Sequence, residues 1–254
     1  DRRCTVCKHT MKGHKRRACV KKKKIDLGAG ITYEGSVYND LPCGRGRLKS
    51  TTSEYIGEFL NGKRHGFGIE TFSDGKKYEG EWQFDKYNGN GHLTYADGRS
   101  KKGTFVDGRL HGYAVIQTSR TTYEGLVAHG VFHGKGTYRE RNGEYVGAFF
   151  YGVKHGEGTY SYSNGDTYSG QWRRGVRSGM GIFTSIDGIY TGNWARDMRN
   201  GRGRWVSKNH GVYDGCWKRN MRHNQGAQTY PNGVTYVGGS VSYTHLRAHE
   251  TYPH

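Results

Sequence analysis

Proline is scarce in this sequence: the 254 residues hold three prolines against 42 glycines. Disordered low-complexity chain is rich in both, so glycine without proline points to a structural pattern instead. Apolar residues make up only 33% of the chain. That fraction serves a globule poorly, whereas a single-layer sheet needs little buried core. No apolar run approaches the roughly 18 residues of a membrane-spanning helix, and no charged-then-apolar leader pattern is visible. The chain begins at Asp1 rather than Met and reads as a fragment. Its five cysteines are an odd set. Cys43 and Cys216 fall in the first and ninth of the repeats described next, too far apart to bridge within one chain. A reducing compartment is the simplest reading.

What the sequence has is a repeat. His133-Gly134-Lys135-Gly136-Thr137-Tyr138 returns 22 residues later as His155-Gly156-Glu157-Gly158-Thr159-Tyr160, and such a period is the mark of a tandem array. An anchor recurs at Tyr33, Tyr55, Tyr78, Lys101, Tyr123, Tyr145, Tyr168, Tyr190, Tyr213 and Tyr236, always 22 or 23 residues apart. Glycine follows two places on, and a large apolar residue such as Phe59, Trp82, Phe149 or Trp194 four places on. Alternation with polar residues has the period of a strand, so these side chains share one face. Seven places after each anchor stands Gly, Asn or Asp, the residues that best tolerate a left-handed backbone. A tight turn is expected there. A second strand starts at Gly-x-Gly and, in six of nine repeats, ends near Asn-Gly or Asp-Gly, a strong hairpin signal.

Each repeat therefore reads as a β-hairpin that needs its neighbours to bury its apolar face. The expected fold is all-β: an elongated single-layer antiparallel sheet of tandem β-hairpins. The stretches YEGEWQFDKYNGNGHLTYADG and YSGQWRRGVRSGMGIFTSIDG resemble MORN repeats, whose pattern is close to Tyr-x-Gly-x-Trp, a short turn and Gly-x-Gly. The resemblance covers about residues 31–239. Three departures stand out, at Lys101 for an anchor tyrosine, Ala114 for a glycine and Asn224 for another. A weaker seam is expected near Lys101 and Ala114.

The expected organisation is a basic head at 1–24, an array of about nine repeats at 25–239 and a tail at 240–254. Of the net charge of +18, residues 1–24 carry +10. Within the head, Cys4, Cys7, His14 and Cys19 resemble a zinc knuckle, with six residues in the middle spacing where the usual knuckle has four. Three thiolates and an imidazole suit one structural zinc, and the competing reading is a basic tail with incidental cysteines. Lys21 to Lys24 read as a solvated linker, with attraction to nucleic-acid or lipid phosphates as alternatives. The tail VSYTHLRAHETYPH lacks repeat logic and resembles translated sequencing-adapter sequence. It is expected to be non-native or disordered.

No nucleophile–base set or functional carboxylate pair emerges, so a non-enzymatic chain is expected. Gly57-x4-Gly62-Lys63 imitates a phosphate loop, but Arg64 stands where Ser or Thr must meet magnesium. Histidines ten places after the anchor (His65, His111, His133, His155, His223) are one per repeat, about 10 Å apart by strand spacing. That is too far for shared metal ligation. The informative break lies at the first turns of the last three repeats, where Arg174, Arg196 and Arg219 form one column and Arg177, Arg199 and Arg222 a second. These six predict a basic comb at one edge, fit for anionic lipid head groups or an acidic partner, with a solvated rim as the competing reading.

The resemblance implies protein–protein attachment, membrane–cytoskeleton organisation and phosphoinositide association. The reading is a cytoplasmic non-catalytic scaffold, peripheral to membrane or cytoskeleton, that binds protein partners or an anionic phosphoinositide surface. The alternatives are the regulatory region of a larger lipid kinase or methyltransferase, and nucleic-acid binding through the head.

Overall fold

A computed structural model of the chain describes residues 21–240. Cys4, Cys7, His14 and Cys19 lie outside them, as does nearly all of the 240–254 tail. The chain divides into two compact units, residues 1–131 and 132–254. The first runs from β1 (Lys21–Asp26) and β2 (Thr32–Tyr38) to β10 (Thr122–Ala128), and the second from β11 (Val131–Glu140) to β20 (Thr235–Ser240). Within each unit consecutive strands pair antiparallel in chain order. There is no helix among the described residues. The all-β hairpin reading holds.

The registers explain how so few apolar residues suffice. In the third repeat Tyr78 faces Leu93, Gly80 faces Gly91 and Trp82 faces Tyr87. Across the next pairing Gly68 faces Gly80 and Gly66 faces Trp82, so glycines form a stripe and the tyrosine ring lies flat along it. A methyl group on Gly203 would come within 2.5 Å of the Tyr190 ring carbons. The close approach demands glycine. Eight anchor hydroxyls then donate to the carbonyl three residues on, at 2.5–3.1 Å. Trp82, Trp172, Trp194 and Trp217 donate Nε1–H to a glycine carbonyl of the preceding hairpin. Anchor tyrosines meet the Trp and Phe rings of the row edge to face, as Tyr190 does with Trp194 at 5.2 Å and Trp217 at 5.4 Å, the geometry aromatic quadrupoles favour. Tyr78 also stacks on Tyr87 at 3.7 Å. Seven anchor tyrosines are thereby all but fully buried.

The first turn of each hairpin is the tight turn expected seven places after the anchor. Both of its central residues are left-handed: Asn61 with Gly62, Arg174 with Gly175, Arg196 with Asp197. That is the tight two-residue turn matched to strand twist. Four of the six Asn-Gly and Asp-Gly signals instead mark three-residue loops at the other edge. Ser73-Asp74-Gly75 is one, closed by Phe72 N–H to the Lys76 carbonyl and Gly75 N–H back to the Phe72 carbonyl. The first glycine of Gly-x-Gly is a left-handed bulge, which explains Asn224 at φ 54° in the same column, since asparagine visits that region readily.

Two expectations need correcting. Lys21–Lys24 are not a solvated linker but most of β1, paired with β2 from Lys21–Val37 to Asp26–Thr32. The departures at Lys101 and Ala114 are also one change, not two. Ala114 pairs with Gly103, where the anchor ring of seven other repeats would fill the methyl's space. Lys101 brings no ring, Ala114 fills the gap at 1% exposure, and Phe105 and Leu110 stay buried beside it.

Candidate basic interface

The tight turn decides where the six arginines go. With two residues in the turn, position four after the anchor pairs directly with position nine: Trp172 with Arg177, Trp194 with Arg199, Trp217 with Arg222. Cross-strand partners share a face. The second arginine column therefore stands over the aromatic row rather than at the edge, and the expected six-toothed comb separates into two rows of three.

Arg174, Arg196 and Arg219 are exposed at the turns themselves. Each is left-handed, with φ of 53°, 50° and 49°, where a long side chain is strained and Asn, as at Asn39 and Asn61, is preferred. The turns are stacked by a repeated bond. The second turn residue donates N–H to the carbonyl of position nine in the preceding hairpin: Gly175 to Lys154, Asp197 to Arg177, Asn220 to Arg199. Exposed Arg173 and Lys218 flank the row. None of these five cations has an ion pair among the described residues.

The second row is half-buried against rings. The Arg177 guanidinium lies 4.3 Å from the Trp194 ring, Arg199 4.6 Å from Trp217 and Arg222 4.6 Å from Tyr213. Two earlier repeats do the same, Arg64 at 4.4 Å from Trp82 and Lys154 at 4.2 Å from Tyr160. Such cation–π contacts strengthen as water is excluded. Burial pushes the Lys154 ammonium pKa down, opposed by Glu140 and Asp197. Burial also lowers that of Arg199; Tyr190 opposes the shift, and Arg222 and Arg177 add to it.

Counter-charges accompany three of these cations. Arg64 meets Glu70 at 2.7 Å and Asp85 at 3.1 Å, Lys154 meets Glu140 at 4.0 Å, and Arg177 meets Asp197 at 3.2 Å. Sequence reading missed these carboxylates. The signal was available, because Glu70 sits where the strand pattern puts an apolar residue and is only 5% exposed. The histidine column lies on the other face and packs against the next turn: His65 on Phe84, His111 on His129, His133 on Tyr151.

Nine stretches match the MORN repeat: residues 33–53, 55–77, 78–98, 102–118, 123–144, 145–167, 168–189, 190–212 and 213–235. Among solved structures, the E1021V mutant of the TCP10 domain of Danio rerio CPAP is similar over 78% of this chain and 95% of that one. The identity is 12% and the TM-score 0.41, a likeness that carries no argument here. No curated protein matches the chain.

Proposed function

The chain belongs to the MORN-repeat family, whose repeat is a non-catalytic scaffold module, and from that premise we propose that its basic turn row docks it on anionic phospholipid surfaces. The observation that supports this is the row itself. Arg174, Arg196 and Arg219 occupy strained left-handed positions at three stacked turns, exposed and without counter-ions among the described residues. Strain kept at a surface position is a pointer to function. Two strands per repeat at about 4.8 Å space these side chains roughly 10 Å apart, close to one Debye length in physiological salt. They act on a charged surface together, each contributing about 1 kcal/mol. The half-buried second row takes no part in this contact.

The test is sedimentation of the full chain with vesicles. It is expected to pellet with phosphatidylcholine vesicles that carry phosphatidylinositol bisphosphate and to stay in solution with phosphatidylcholine alone. Molar salt should release it, and R174Q/R196Q/R219Q should pellet less. Equal pelleting with both vesicles would refute the proposal.

A further inference from the structure

We propose that the aromatic face at Arg199 and Arg222 is a docking site for an acidic segment of a partner protein, whose carboxylates occupy the slots that the chain's own carboxylates fill in other repeats. The site is separate from the turn row and does not depend on the membrane reading.

Five repeats place a cation over the aromatic row, and the first three of these cations are neutralised from within. Glu70, Glu140, Asp85 and Asp197 come from different positions, yet the group supplied is always a carboxylate. The last two cations lose it. Arg199 has Asn220 where Arg64 has Asp85 and Arg177 has Asp197. The amide oxygen keeps the bond to the Arg199 backbone N–H at 2.8 Å but carries no charge. Arg222 has Gln228 where Arg64 has Glu70. Gln228 is 4% exposed and donates Nε2 to the carbonyls of His210 at 3.0 Å and Thr229 at 3.1 Å. Its Oε1 is left buried without a hydrogen-bond partner. Neither arginine has an ion pair among the described residues.

Two neighbouring guanidinium groups without counter-charge repel each other, and half-burial against Trp205, Trp217 and Tyr213 weakens the screening that water would give. An anion relieves both. A carboxylate fits the fork of a guanidinium through two parallel hydrogen bonds, and it is the group this fold already seats on the same face. Adjacent repeats lie roughly 10 Å apart, about one three-residue turn of polyproline-II chain, which returns a side chain to the same face. The partner segment therefore carries acidic side chains at about that separation, stacked along the ring edges.

The test uses energy transfer from tryptophan to a dansyl group on a twelve-residue Gly/Ser peptide with glutamate at every third position. All five tryptophans lie between residues 82 and 217, and R199Q/R222Q, which leaves the basic head intact, shows whether the signal comes from the array. The full chain is expected to bind this peptide saturably in about 0.15 M salt, near physiological ionic strength, and not to bind its glutamine counterpart. Q228E keeps both arginines and supplies the internal partner that Glu70 gives Arg64. It should weaken binding at least tenfold. R199Q/R222Q should abolish binding, and the charge-matched K63Q/K102Q should leave it within twofold. Parental binding by Q228E, or equal binding of the glutamine peptide, overturns the proposal. Displacement of the peptide by equimolar inorganic phosphate overturns the choice of carboxylate.

Discussion

At the residue scale the array rests on a tyrosine ring laid over two glycines. The pattern was legible because both partners recur in every repeat but one, and the exception explains itself: Lys101 and Ala114 depart together. The contact is steric, so its disruption is sharply local. Gly203→Ala would drive a methyl into the Tyr190 ring at a backbone that otherwise accepts alanine. Overpacking of this kind costs about 1–3 kcal/mol, whereas Gly239→Ala meets nothing within 4 Å and should change little. Urea denaturation of the two variants measures the difference. Burial also holds the Tyr168 and Tyr190 hydroxyls up at a pKa of about 12, against an ordinary value of 10.0. Below pH 10 both folded and unfolded chains keep these protons and the contribution is intact. Between about 10 and 12 the unfolded chain releases protons that the folded one retains, so stability falls with rising pH. Urea midpoints are expected to be level from pH 8 to 9 and to drop steeply by pH 11. A flat profile would mean the rings are not sealed.

At the element scale the hairpin was legible and its turn only half so. The sequence marks the second turn residue through its restriction to Gly, Asn and Asp. The first turn residue accepts Asn, Asp, Phe, Tyr, His or Arg, so composition hides its left-handed backbone. That omission sent the second arginine column to the wrong place. Counting a two-residue turn sets position nine against position four, on the aromatic face, while a looser turn leaves it at the edge. The Lys101–Ala114 exchange gives a direct test of the hairpin geometry. Lys101→Tyr alone should destabilise, because the new ring meets the Ala114 methyl. Lys101→Tyr with Ala114→Gly should restore or exceed the parent's stability, a coupling of about 1–3 kcal/mol in a double-mutant cycle. Additive effects would show that the ring does not lie over this pair. The turn-to-turn clip has its own test in Asp197. Asp197→Gly keeps the left-handed backbone but removes the bonds to the Arg177 backbone and side chain at 2.9 and 3.2 Å. It should cost about 1.5–3 kcal/mol by thermal denaturation, the range of hydrogen bonds to charged groups.

At the scale of the whole molecule, charge separates into populations with different surroundings. Residues 1–24 carry +10 of the +18, so net charge alone draws the protein to any anionic surface. The distinguishing claim concerns position: three exposed turn arginines in a row act together, and the same charge spread elsewhere does not. The measurement that separates these is the partition constant of the full chain on phosphatidylinositol bisphosphate vesicles across a range of salt. It should be made for the parent, for R174Q/R196Q/R219Q and for K63Q/K102Q/R109Q, which remove equal charge. At about 1 kcal/mol per cation, the turn-row variant is expected to bind on the order of a hundredfold more weakly than the parent and to respond less to salt, while the scattered variant stays within a few-fold. Matching curves for the two variants would contradict the account, leaving the turn row as part of the protein's general charge.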